Sequence, residues 1–212
     1  MAVSPRTRMD VDARRDQLLD AGIELFATRA WEEVSIEEIA AAGGVSRGLL
    51  YHYFAGKREY YVACIEHAMR RLHDVDPDPA LPPAERLHVG LERFFASIAA
   101  HPEVYAALHR VAPADTEVSG IVKGQLRAFT DLVLSGMPRA GGGSALARAS
   151  ARAWVGAVDA AGVHWLEHRD VPAEQLIQVL TRALVALMHE AACIDPTIEL
   201  PEGIAELLGE SS

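Results

Sequence analysis

The chain has 212 residues, enough for one large domain or two small ones with a sizeable core. Half of the residues are hydrophobic and 6% aromatic, and the net charge is −10, which argues against a general nucleic-acid binder unless the cations gather locally. The two cysteines, Cys64 and Cys193, form no CxxC pair, which argues against a disulfide scaffold and fits a reducing cytoplasm.

Residues 1–11 are expected to form a flexible N-terminal arm, a disordered tail unless Arg6 and Arg8 reach into a DNA groove. No apolar run follows these arginines, so the segment does not read as a signal peptide. No stretch approaches the ~18 uninterrupted apolar residues of a membrane span, so a soluble, cytoplasmic protein with no membrane partner is expected. Helical periodicity begins near Asp12, with Leu18, Leu19, Gly22, Ile23 and Phe26 on one side and Arg14, Arg15, Asp16 and Glu24 on the other. This helix should end between Thr28 and Ala30. Ser35-Ile36-Glu37-Glu38 is a capping box that opens a short second helix, and Gly43-Gly44 stops it. Ser46 caps a third helix through Tyr53, Ala55-Gly56 break it, and a longer helix runs from about Lys57 to His73.

Three helices in quick succession, the last two short and joined by a glycine turn, form a helix-turn-helix. The second member of such a pair enters the major groove and presents its N-terminal residues to base edges. Leu50 and Phe54, four apart, face inward, leaving Arg47, Tyr51, His52 and Tyr53 as a dense set of polar and aromatic tips.

Residues 12–73, and most sharply Ser35 to Lys57, resemble the DNA-binding domain of the TetR family of transcriptional regulators. The resemblance rests on Ser35, Ile39-Ala40, Gly44-Val45-Ser46, Gly48, Tyr51, Tyr53, Phe54 and Lys57 in register, with Leu18, Ala21 and Leu25-Phe26 upstream. Two positions depart from the pattern: Gly43 stands where alanine is usual, and Ala30 where glycine is usual. The first should loosen the turn slightly, and the second should cost about 1 kcal/mol if a left-handed cap is needed there. The resemblance makes Ser35, Ser46, Arg47, Tyr53 and Lys57 candidates for phosphate or groove-wall contacts. Arg47 is alternatively a reader of guanine, Gly48 allows close backbone approach, Leu49 meets a thymine methyl, and Tyr51 and His52 add phosphate or base contacts.

Beyond the acidic, proline-rich Asp74–Pro83 loop, helices are expected at about Ala84–Ala100, Pro102–Val111, Glu117–Leu134, Ser144–His168 and Pro172–Ala192, with room for one short helix before a frayed C-terminal tail. The architecture is thus all-α with about nine helices and no convincing strand. Residues 12–56 form the DNA-binding domain, 57–73 a connecting helix, and 74–212 a larger helical domain. Residues 1–73 carry 10 Lys/Arg against 11 Asp/Glu, and residues 74–212 carry 10 against 19, so the acidic part would be held off phosphates.

Residue-level resemblance stops near residue 73, and beyond it length and helix count alone match. There the family places a dimerisation surface and a small-molecule effector pocket. Independently, Ala147, Ala151, Val155, Val158 and Gly162 fall on one stripe, and Leu176, Val179, Leu180, Ala183, Leu184, Leu187 and Ala191 cover a wide arc. A helix so widely apolar is buried on two sides. Ala151, Val155, Val158, Gly162, Leu180, Leu184 and Leu187 are therefore expected in a four-helix homodimer interface, the alternative being an internal core. Tyr105, His109, Phe129, Trp154 and His164 are the ligand-binding candidates, drawn from a set that includes Phe94, Phe95 and Trp165, and each has core packing as its alternative. His164 and His168 sit four apart beside Glu167, but no third ligand accompanies them, so no metal or cofactor is expected. With no nucleophile elbow, phosphate-cradling loop or HExxH, an enzyme is not expected. The expected function is a repressor that a small effector releases from a palindromic operator. An activator of the same fold, or an enzymatic or interaction module with a vestigial DNA-binding head, are the alternatives.

Overall fold

The computed structural model describes residues 5–72, 78, 80–112, 114–138 and 143–201, and these form nine helices and no strand. The helices are α1 (Pro5–Thr28), α2 (Ile36–Ala42), α3 (Arg47–Tyr53), α4 (Lys57–Leu72), α5 (Pro83–Ala100), α6 (Pro102–Val111), α7 (Thr116–Ser135), α8 (Ala145–His168) and α9 (Ala173–Ile194). The expected arm is helical from Pro5 on, because proline suits a first helical turn, where its missing N–H is not needed. The side chains of Arg6 and Arg8 lie outside the described residues, as do residues 74–77 and 79 of the 74–83 loop and any helix after Pro201.

Two compact units emerge. One takes in the chain up to Leu72 together with His101–Val122, and the other takes in His73–Ala100 and Lys123–Ser212. The linear division into 12–73 and 74–212 therefore misses a return: α6 buries Tyr105, Ala107 and Leu108 in the first unit, where it packs on α1 and α4.

The first unit is centred on α1 against α4. Leu18 and Leu19 are fully buried, each worth roughly 1.5–3 kcal/mol, and Phe26 meets Tyr61 edge-on at 5.0 Å. The helices approach at Gly22, where a Cβ would stand 2.5 Å from Cys64 Sγ and would also strike the Tyr60 hydroxyl. That hydroxyl donates to the Leu18 carbonyl at 2.5 Å. Burial pushes the Cys64 thiol up to about 12, so it is a packing group rather than a nucleophile. Ala30 has a negative φ, so no left-handed cap exists there and the expected strain is absent; the turn closes instead through Glu33 N–H to the Ala30 carbonyl at 3.0 Å.

In the same unit Arg58 holds the start of α7. Its guanidinium forks onto Asp115 at 2.6 and 2.8 Å, reaches Glu117 at 2.7 Å, and lies over the rings of Trp31 and Tyr61. The Arg58 hydrogen bond, aided by amides at Val118 and Glu117, draws the Asp115 carboxyl down to about 2.

The second unit packs α5, α8 and α9 together. Gly162 of α8 lets α5 in, since a Cβ there would sit 3.1 Å from Ile98 Cδ1 and 3.2 Å from the Phe94 ring. Trp154 donates its indole N–H to the Leu180 carbonyl at 2.8 Å, which ties α8 to α9. α8 ends on Arg169 in the left-handed region at φ 50°, a position usually given to glycine, with its guanidinium 3.9 Å above the Trp165 ring. α9 is long and apolar enough to cross a membrane by length and composition, although no uninterrupted run signals it. It places Ile177, Leu180, Leu184, Val185 and Met188 in the core of this unit.

Candidate functional site

The turn between α2 and α3 is built by three backbone bonds. Gly43 N–H reaches the Ile39 carbonyl at 3.0 Å, Gly44 N–H reaches Ala41 at 3.1 Å, and Val45 N–H reaches Ala40 at 2.9 Å. The last two form a Schellman closure, which puts the intervening residue in the left-handed region; Gly44 occupies it at φ 62°. Gly43 is right-handed, and its role is spatial, because a Cβ there would meet Leu18 Cδ2 at 2.5 Å. The glycine that departs from the family pattern thus tightens α2 onto α1 rather than loosening the turn.

Ser35 and Glu38 complete the capping box. Glu38 N–H donates to Ser35 Oγ at 3.2 Å, and the Ser35 N–H and hydroxyl donate to Glu38 Oε2 at 2.8 and 2.7 Å. Glu38 also takes Arg29 at 2.6 Å, and that bond, with those from Ser35, holds its carboxyl at about 2. The Ser35 hydroxyl is therefore committed beside a negative charge, and its observed part is to fix the start of α2.

α3 exposes nearly everything it carries. Leu50 is its one buried residue, and Phe54, just past its end, packs edge-on against Tyr60 at 4.9 Å. These two pin the helix from behind. Ser46, Arg47, Gly48, Leu49, Tyr51 and His52 are exposed, Tyr51 by 46% and Leu49 by 39%, while Tyr53 is half-buried edge-on to His52 at 5.7 Å. Ser46 Oγ accepts from Leu49 N–H at 3.2 Å, capping α3. No side chain but Ser46 Oγ, at 4.0 Å, comes near the Cβ direction of Gly48. Core packing as the alternative for Tyr51 is thereby removed.

The two basic groups are preset. Arg47 pairs with Glu37 at 2.7 Å, with both side chains about 60% exposed, a contact of about 0–1 kcal/mol that a phosphate or base can replace. Lys57, the first residue of α4, donates to the Glu32 carbonyl at 3.0 Å with its ammonium 5.1 Å from the Trp31 ring centre. An ammonium has three donors, so one bond holds it in place and two remain for an anion. Trp31 was not singled out from the sequence; α2 and α3 separate it from Lys57 in the chain, so the contact is tertiary and carries no local signal.

The second unit holds a cavity of about 150 Å³ lined by α5, α7, α8 and α9. Phe129 and Trp154 line it, as the ligand expectation has them. Tyr105 and His109 do not; they belong to α6 in the other unit, their rings 4.7 Å apart. His164 also lies away from it, exposed on α8, stacked on His168 at 4.2 Å and 3.6 Å from Asp170. Among the described residues no group of three or more His, Cys, Asp or Glu is placed to hold a metal.

The dimer expectation needs correction on the same ground. Val155, Val158 and Leu184 line the cavity, Ala151 and Leu180 are in the core, and Gly162 faces α5, so these six are covered within one chain. Leu187 alone of the seven is exposed, joined by Val179 at 63%. Periodicity shows that a stripe will be covered, not by what. The sequence reading also missed Arg86 and Leu91 of α5, which line the cavity.

Two family models match the chain: "Bacterial regulatory proteins, tetR family" over residues 18–64, and "Tetracyclin repressor-like, C-terminal domain" over residues 83–187. The HTH-type transcriptional activator FasR of Mycolicibacterium smegmatis is 30% identical over 143 residues, 64% of each protein. The HTH-type transcriptional regulator BetI of Brucella canis is 37% identical over 68 residues, so the match spans 34% of its length and 32% of this chain. A solved tetR-family transcriptional regulator from Streptomyces coelicolor superposes with a TM-score of 0.73 at 29% identity, covering 100% of this chain and 92% of its own.

Proposed function

This chain belongs to the TetR family of bacterial regulatory proteins, and on that premise we propose that it is a sequence-specific DNA-binding transcriptional regulator, cytoplasmic and active as a homodimer. The observation that carries the reading is α3, a helix with one buried residue of seven, presenting Arg47, Gly48, Leu49, Tyr51 and His52 on a fixed support. A helix so exposed adds little to its own fold, and its residue types match base-edge and phosphate contacts. Lys57 flanks it as a phosphate clamp, with Ser46 and Tyr53 at the groove wall. Ser35 acts through the placement of α2.

The interface between subunits is the outward face of α8 and α9. Val179, Ala183 and Leu187 are exposed on α9, and Ala153, Ala157 and Ala160 on α8, a face of small and apolar groups suited to close helix approach. In a two-fold pair the two recognition helices would meet half-sites one DNA turn apart, about 34–36 Å, the spacing general to dimeric helix-turn-helix proteins. The cavity takes a small-molecule effector, and its occupancy favours a conformer that no longer fits the operator, which makes the protein a repressor released by ligand. The match to the activator FasR favours a second reading, in which the same protein recruits transcription.

Footprinting with the full chain on the DNA upstream of its own gene tests the proposal. A palindromic protected site, weakening steeply with salt and lost with the double variant Tyr51→Ala/Lys57→Ala, is expected. Protection without two-fold symmetry, or a double variant that binds as well as the parent, would overturn it. Reporter output with and without the gene separates repressor from activator.

A further inference from the structure

Among the described residues that line it, the wall of the cavity is hydrocarbon except at two places, Arg86 and Asp159. Trp154 has the one other polar side-chain group on the wall, and its N–H is already bound to the Leu180 carbonyl. A ligand inside therefore meets apolar surface over most of its area and can satisfy a charge at one of two points. Asp159 has an interaction partner of its own. Arg86 forms no ion pair among the described residues; it lies half-buried, its Nη2 so close to Gly136 that a Cβ there would stand 2.7 Å away. The guanidinium thus rests on the bare backbone after α7, at the end of the cavity that Pro83, Ala84 and Met137 also border. A planar fork in apolar surroundings binds a carboxylate through two parallel bonds, stronger than the same contact in water.

We propose that the cavity takes a hydrophobic monocarboxylate, with a body on the scale of one aromatic ring against Phe94, Phe129 and Trp154 and its carboxylate on Arg86. The size follows from a volume of about 150 Å³, since an apolar cavity of that order holds a benzene. The proposal rests on the reading of the cavity as the effector site and adds the ligand's charge and size.

Calorimetric titration of the full chain with three probes of one shape, 3-phenylpropanoate, 3-phenylpropanol and 3-phenylpropylammonium, tests it. The acid is expected to bind at least tenfold tighter than the alcohol, and the amine weakest. Arg86→Gln should weaken the acid at least tenfold and leave the alcohol unchanged, and Arg86→Lys should recover part of the loss; melting curves of both variants verify that they fold. Equal binding of acid and alcohol, preference for the amine, or an Arg86→Gln variant that keeps the acid would overturn the carboxylate assignment while leaving the cavity a ligand site. Binding of none of the three would overturn both, and the operator footprint would still stand or fall separately.

Discussion

Helix α3 hides one of its seven residues, whereas α8 hides eight of its twenty-four. In α3 the scaffold is Leu50, with Phe54 beyond, and the rest is free for a partner. In α8 scaffold and candidate site are the same residues: Trp154, Val155 and Val158 hold the unit together and also wall the cavity. Mutation can therefore separate folding from function readily in one helix and hardly in the other. On α3 the two come apart residue by residue, while around the cavity only the charged Arg86 and Asp159 can be changed without removing apolar core.

The sharpest test of that contrast sets Leu18 against Tyr51, both in the first unit. Leu18→Ala empties a fully buried site and should cost ~2–5 kcal/mol in urea unfolding. Tyr51→Ala should leave stability within ~0.5 kcal/mol. A large stability loss at Tyr51 would end the claim that α3 separates the two roles. Gly22→Ala and Gly162→Ala compare the helix crossings of the two units. At Gly22 the new methyl strikes Cys64 and the Tyr60 hydroxyl in a locked contact, and a loss of ~1–3 kcal/mol is expected. At Gly162 the nearest atoms, Ile98 Cδ1 at 3.1 Å and the Phe94 ring at 3.2 Å, stand farther off than those at Gly22, so the loss in thermal melting should be the smaller of the two.

For DNA, Tyr51→Ala should weaken operator binding by ~1–3 kcal/mol. Lys57→Ala should weaken it across sequences and lower the salt slope of log K by about 1, measured by titration at several ionic strengths. An unchanged slope would return Lys57 to its purely structural contact with Glu32. The smallest effect is on acid stability. Asp115 is held at about 2, below its ordinary 3.8, so its contribution is complete above pH ~4 and disappears as the pH falls through about 2. Asp115→Asn should flatten the loss of stability in that window, and near-neutral melting should then show the cost of the weakened Arg58 contact. A parent and variant with the same acid profile would show that the clamp contributes nothing.

Much of the first unit was legible before any coordinates. The capping box at Ser35, the cap at Ser46, the glycine stop after α2 and the inward pair Leu50 and Phe54 all follow from contacts that close within a few residues. The start of α1 was misjudged because charged residues before Asp12 hide a helix that proline can begin. The left-handed end of α8 was missed because Arg169 stands where glycine is usual, held by stacking on Trp165.

Residue order alone was enough for most of the helices, the caps at Ser35 and Ser46 and the short exposed helix α3, since these depend on periodicity and on short-range hydrogen bonds that residue type dictates. Tertiary structure alone decided which apolar stripes meet, because a leucine or valine carries no label for its neighbour. That is why Val155, Val158 and Leu184 turned from a surface between chains into the wall of a cavity, why α6 joined the first unit, and why Arg86 came to rest beside Gly136, fifty residues away in the chain.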